Sequence, residues 1–496
     1  MRLSRRDFIR MTGLVSSTLT LAGCASLHQR LASSPTLPPV LLAFDPSNFR
    51  ALNRLTYGPR PEECLRVEEI GLAQWIEEQL APAFIEDGDC EFRLRDFASL
   101  QLDAASIFDL YGDKLFDDQD HATAPNELRQ ATLLRKTYSR RQLYEVMVEF
   151  WSDHFNISVD KGDCFYLKTV DDREVIRPYA LGNFGELLQA SAHSPAMLVY
   201  LDNQANEKGH PNENYAREVM ELHTLGVDGG YSQQDVMELA RCLTGWGVKE
   251  HFWRGQFTFD PQVHDTGNKR VLGMEIAPGG QDEAERVIDR LAQHENTARF
   301  ITRKIARRFL GDQPDADLIQ RAALAFQRSK GDTGSVLRVL LLDGVAQLAQ
   351  LPPKVKRPLN FVVSALRQSN ANSDGGAVIL DSLARMGQLP FAWPTPDGYP
   401  DHNADWLSNL LPRWQFALAL VRNEIPGTTV DLPTLISPQQ STADELDRLA
   451  LLLCGEALSP LIRTSLFDSV AAIQEPFSRL AVLCAGILAS PTFQWR

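Results

Sequence analysis

The sequence is poor in cysteine, and its cysteines show no pairing pattern. Seven in 496 residues, with no two spaced as Cys-x-x-Cys, exclude a disulfide-dense scaffold, a thioredoxin-like redox pair and a c-type haem attachment site. His-Glu-x-x-His, the Walker loop and Gly-x-Ser-x-Gly are also missing, so no zincin, P-loop or nucleophile-elbow chemistry is encoded by motif. Positive charge is in deficit. Lys and Arg number 50 against 64 Asp and Glu, and a formal net charge of −14 excludes general nucleic-acid binding. No apolar run is long enough to span a bilayer, and there is neither a low-complexity tract nor a regular repeat.

What is present begins at the N-terminus. Arg5 and Arg6, followed by Asp7-Phe8-Ile9, form a twin-arginine pattern, and a short apolar stretch then leads to Leu21-Ala22-Gly23-Cys24. Residues 1–23 therefore read as a signal peptide for the twin-arginine export machinery. Cys24 reads as the lipidated first residue of the mature chain, and residues 24–45 as its Pro- and Ser-rich tether. Cleavage removes four Arg and one Asp, taking the charge from −14 to −17, so attachment to a membrane rests on the lipid anchor rather than on charge. The expected location is the cell envelope, on the periplasmic or outer side. A chain exported already folded from a reducing cytosol should not depend on disulfides, and most of the other six cysteines read as small buried apolar residues.

The body is expected to be mainly α: a helical core region over 46–350, and a helical C-terminal region over 351–496 packed on it as one unit. A long helical pattern runs from 126 to about 155, with Leu143, Met147, Phe150 and His154 on one stripe and Glu145 and Glu149 pointing away. His154 is then either a hydrogen-bonded core residue or a buried acid/base or metal ligand. Residues 246–273 carry the one clear β signal, a small hairpin. The loop after it holds His264 and Asp265, either as a site or as a turn using Asp and Gly for backbone geometry. Residues 297–310 form a basic helix with Arg299, Arg303, Lys304, Arg307 and Arg308, which either docks on acidic partners within the fold or makes an anion site. A Pro-rich aromatic loop over 389–405 is of the kind that covers a cleft.

The chain is organised around 211–246, a helix, a Gly-rich turn and a second helix. At about 100° per residue, Asn214, Arg217, Glu218 and Glu221 share a polar arc, while Tyr215, Val219, Met220 and His223 lie opposite. Arg217 and Glu221 are spaced for an i, i+4 ion pair. Glu218 and Glu221 at i, i+3 suit a metal-bearing helix, but His223 falls too far round the wheel to join them. A metal ion would need His154 or His264 from elsewhere.

These stretches together resemble the bacterial family called domain of unknown function 1800. The matching pieces are Arg54-Leu55-Thr56-Tyr57-Gly58, Phe150-Trp151 with His154-Phe155, Ser194-Pro195-Ala196-Met197-Leu198, the stretch from Pro211 to Gly226, and Thr244-Gly245-Trp246. His264-Asp265 with Lys269, Lys356-Arg357-Pro358 and the closing stretch from Leu488 to Gln494 also match. The resemblance implies an exported, α-rich protein, often encoded beside a sulfatase-like exported family (domain of unknown function 1501). It brings no catalytic residues with it.

Three functions follow as expectations. The first is an envelope enzyme, a hydrolase or oxidoreductase, whose cleft is lined by His154, Arg217, Glu218, Glu221, His264 and Asp265, with or without a metal ion. The second is a non-catalytic scaffold or binding partner for the sulfatase-like protein. The third is a glycan-binding module using Trp393, Tyr399 and Trp406.

Overall fold

The computed structural model describes residues 45–112, 120–250, 254–344, 352–436 and 440–496. The twin-arginine pattern, Cys24 and the tether up to residue 44 lie outside the described residues. The body is mainly α, with three two-stranded antiparallel sheets inserted among the helices. One apolar core runs from Phe49 to Phe493. No helix among the described residues is long and apolar enough to cross a membrane.

At the centre stands the helix Gln142–His154. Leu143, Met147, Phe150 and His154 are buried as the stripe predicts, but so are Glu145 and Glu149, which the same pattern turns towards solvent. The reason is tertiary. The far side of this helix faces cations, the partly buried Arg177 on Glu145 at 2.9 Å and the buried Arg308 on Glu149 at 2.7 Å, and a paired carboxylate can be buried there. The long pattern is also two helices, Asp120–Tyr138 and Gln142–His154. Gln142 joins them, because its amide bonds the carbonyls of Lys136 and Ser139. Residues 61–79 are likewise two helices, Pro61–Ile70 and Leu72–Gln79, separated at Gly71 with φ +82°.

The 211–246 stretch keeps its signals. Asn212 caps the first helix by accepting from the Asn214 amide, and Ser232 with Asp235 forms the capping box of the helix Gln233–Cys242. Its first helix is α only over Glu213–Glu218, and Val219–Thr224 is a π-helix. Thr224 supports the wider turn by donating its hydroxyl to the Val219 carbonyl five residues back, at 2.6 Å. A π residue turns through less than an α residue, so the wheel drifts. Arg217 consequently pairs with Glu213 at 3.0 Å rather than with Glu221.

The β signal is two consecutive hairpins, Trp246–Val248 with Phe257–Phe259 and Lys269–Val271 with Met274–Ile276. The basic helix spans Glu295–Leu310 and packs on the π-turn and on the helix Ala316–Arg328. In the C-terminal part, Pro358–Gln368 is buried along its whole length. The segment 354–356 pairs with the last residues of the chain through Lys354–Arg496 and Lys356–Gln494 backbone bonds. All six described cysteines are free thiols, five of them buried.

Candidate functional site

A cavity of about 160 Å³ opens where the end of the central helix meets the basic helix and the loop 389–405. The central helix contributes Phe150, Asp153 and His154, and the basic helix contributes Lys304, Arg307 and Arg308. The loop supplies Asp397, Tyr399, Pro400, Asp401 and His402, and Arg357 closes the floor.

The loop is held down firmly for a segment without regular structure. Asn156 donates to the carbonyls of Trp393 (3.0 Å) and Thr395 (2.8 Å), Tyr200 to that of Pro394 (2.9 Å), and Arg129 to that of Pro390 (3.0 Å). Gly398 lies directly against the backbone of Asp153.

His154 is fully buried. Its Nε2 faces the His223 carbonyl at 3.1 Å, and a carbonyl only accepts, so Nε2 carries the proton. Nδ1 is therefore a lone pair, and it accepts from Lys304 Nζ at 2.8 Å. Desolvation, then Lys304, then the neighbouring His223 hold the His154 imidazole well below its usual range, so it stays neutral. Desolvation also draws Lys304 down to about 8; Asp153 and Asp401 oppose that shift and Arg307 adds to it. His154 thus orients the lysine instead of titrating itself.

In the same lining, Asp153 accepts from Arg357 at 2.8 Å and keeps part of its carboxyl open to the cavity. Desolvation raises that carboxyl to about 7, with Arg308 opposing and Asp401 assisting. Asp401 behaves differently: although burial would raise it, Lys354, Arg308, Arg357 and Arg496 hold it well below the carboxylate range. Beneath the floor, the Glu149 carboxylate receives Arg308, Arg357, the Tyr57 hydroxyl and, at 3.6 Å, Lys136. Removing it would leave Lys136 without its counterion and Arg308 and Arg357 with only Asp401 and Asp153. A second chamber of about 30 Å³ lies behind, with Asp153 and Tyr399 in the wall between the two.

Of the six residues singled out in the sequence, the structure brings only His154 into this cavity. Glu218 is half-buried outside the cavity lining; burial raises its carboxyl, helped by Glu221, and Asp397 is within electrostatic reach. Glu221 accepts from the Tyr231 hydroxyl at 3.4 Å, and Arg217 is taken up by Glu213 and Gln233.

His264 and Asp265 belong to another place. His264 lies between the Thr244 carbonyl (2.8 Å) and Glu283 (3.2 Å), and Glu283 also receives Lys269 and the amides of Gly279 and Gly280. Asp265 holds Arg241 through both oxygens, at 2.8 and 3.0 Å, a bond that draws its carboxyl down to about 2. This network ties the second hairpin to its flanking helices, and its bonds are satisfied internally. Among the described residues no group of three His, Cys, Asp or Glu is placed to hold a metal ion. Of the three aromatic residues of the glycan reading, Tyr399 and Trp406 are buried with Val355, and Trp393 packs against them partly buried.

Asp153, Arg357, Asp397 and Asp401 are site residues that the sequence does not single out, whereas Lys304, Arg307 and Arg308 stand in it on a basic helix for which an anion site is one of two readings. The signals were adjacent, in Asp153 next to His154 and in the loop 389–405. What joins them is contact between segments far apart in the chain.

The profile of the family described as "Protein of unknown function (DUF1800)" matches residues 50–495. No curated protein and no solved structure matches the chain.

Proposed function

We propose, starting from the fact that the chain belongs to the DUF1800 family, that it is an exported, lipid-anchored envelope protein and that its cavity is a hydrolytic acid–base site. Export and anchoring rest on Arg5, Arg6 and Cys24 in the sequence. The catalytic reading is carried by one observation: a lysine and a carboxyl, both displaced by burial towards neutral pH, line one cavity while His154 and Arg357 fix their positions. In hydrolysis, Asp153 takes a proton from water as its oxygen attacks. Lys304 delivers one to the departing oxygen, and the neighbouring guanidiniums face the charge that develops.

The reading fixes a pH profile. Asp153 must be ionised, so kcat/KM rises through about pH 7; Lys304 must hold its proton, so it falls above about pH 8. The measurement is turnover of nitrophenyl phosphate, sulfate and carboxylate esters by the mature chain. Asp153→Asn, which keeps the bond to Arg357, should lower kcat about a hundredfold with the melting temperature nearly unchanged. Turnover indifferent to Asp153→Asn overturns the assignment.

A second reading, the non-catalytic partner of a sulfatase-like exported protein, is favoured by the exposed apolar residues Leu407, Leu410, Leu411 and Trp414. Leu410, Leu411 and Trp414 lie on the first turns of the helix Leu410–Val421, and Leu407 just precedes it. A folded chain that turns over none of the three esters shifts the weight to it.

A further inference from the structure

The carboxylates of the cavity are committed. Asp153 pairs with Arg357 at 2.8 Å, and Asp401 lies between Lys354 (3.4 Å) and Arg308 (3.6 Å). Asp397 accepts from Trp393 Nε1 (3.1 Å) and Thr395 Oγ1 (2.5 Å) of its own loop. The cations are not all committed in return. Lys304 bonds only the neutral His154, and Arg307, one helical turn further on the same face, makes no side-chain hydrogen bond or ion pair among the described residues. On a chain of net charge −14, two neighbouring cations without a carboxylate partner, both lining a cavity, stand out. Each disfavours the other's charge, and Arg307 is one of the causes that lower Lys304.

We infer that Lys304 and Arg307 form the receptor for a small oxyanion, the carboxylate, sulfate or phosphate group of the ligand. This rests on the proposed site being the one that receives the ligand. An oxyanion between the two side chains replaces their mutual repulsion with charge-assisted hydrogen bonds, bidentate at the planar guanidinium. The cavity, at about 160 Å³, accepts a group of that size, since one water needs only roughly 10–15 Å³ measured the same way. With the oxyanion held there, Asp153 lines the same cavity and can act on the adjoining bond. A doubly charged monoester neutralises both cations, whereas a carboxylate leaves one over.

The test needs no turnover. Sodium sulfate, phosphate and acetate are titrated into the mature protein at constant ionic strength, with chloride as reference, and binding is read by calorimetry and by the rise in melting temperature. Saturable binding of at least one oxyanion is expected. It should weaken about tenfold or more in Arg307→Gln and in Lys304→Met. It should remain within about twofold in Arg303→Gln, which removes the same charge from an exposed position of the same helix. Sulfate and phosphate binding without acetate assigns a monoester ligand; acetate binding assigns a carboxylate. Stabilisation that rises without saturation, or binding as tight in Arg307→Gln as in the wild type, overturns the inference, because the first is general salt exclusion and the second places the anion elsewhere. Oxyanion binding in a chain that turns over no ester leaves the receptor standing and removes the hydrolytic reading. Turnover of a neutral ester with no oxyanion binding does the reverse.

Discussion

Lys356 isolates what burial does to one charge. Its ammonium lies 3.6 Å from the centre of the Phe493 ring and is almost wholly buried, with no carboxylate partner among the described residues. Desolvation lowers it to about 7 from the 10.5 of a free lysine. Below pH 7 both the folded and the unfolded chain hold the proton, so the cost of burying the charge is fully present. Between pH 7 and 10.5 the unfolded chain binds the proton and the folded chain does not, so this residue makes stability rise with pH; above 10.5 its contribution is level. Lys356→Met should therefore stabilise the protein by about 2 kcal/mol at pH 6 and by much less at pH 9.5, in urea unfolding at both values. An equal effect at the two pH values would mean that the ring already compensates the charge. Glu149 shows the converse, a buried charge tolerated because its partners come with it. Those partners also explain why it was illegible in the sequence. The period of the helix Gln142–His154 identifies the face on which Glu149 lies, but Arg308 and Arg357 lie more than 150 residues away and decide whether that face is wet.

Helices and turns were legible where one local rule governs them, as with the Asn212 cap, the Ser232–Asp235 box and the stripe through His154. They were not where two rules compete. The pattern over 126–155 has helical period throughout, yet the chain turns at 139–141, since only a break lets both halves pack against the core. The π-turn over Val219–Thr224 leaves no mark in composition, and it is why the Arg217–Glu221 pair does not form. The loop 389–405 was recognised by its prolines and aromatics, but its attachment points were hidden. Gly398 is the tightest of them: with φ at +73°, an added Cβ would come within 1.9 Å of the Asp153 carbonyl oxygen. Because that contact is with backbone, no rotamer change relieves it, and either the loop or the end of the central helix has to shift. Gly398→Ala should cost about 3 kcal/mol and loosen the cavity wall at Asp397, Tyr399 and Asp401 together. Amide exchange would show this as faster exchange over 389–405, with the C-terminal helices unchanged. Uniformly faster exchange across the molecule would mean that the loop is part of the global fold and no separate cover.

At the scale of the molecule, the proposed export would make one demand on the cysteines. A chain that crosses the membrane folded completes its core where thiols stay reduced, and the six described cysteines are free, with desolvation raising every thiol. Burial suppresses the thiolate, the form that attacks a disulfide or an oxidant, so the same six should remain free in an oxidising envelope. The melting temperature of the mature protein should then be the same, within about 1 °C, with and without dithiothreitol, because no crosslink constrains the unfolded chain. A thiol count of the denatured, unreduced protein isolated from membranes tests the other half of the argument. Of the seven cysteines in the sequence, six should react, the missing one being Cys24 with its sulfur in a thioether to lipid. Seven reactive thiols would remove the lipid anchor and leave the reduced fold intact. A count of four, restored to six by dithiothreitol and accompanied by a lower melting temperature, would mean that a pair of these buried cysteines closes after export and that the fold is completed outside the cytosol.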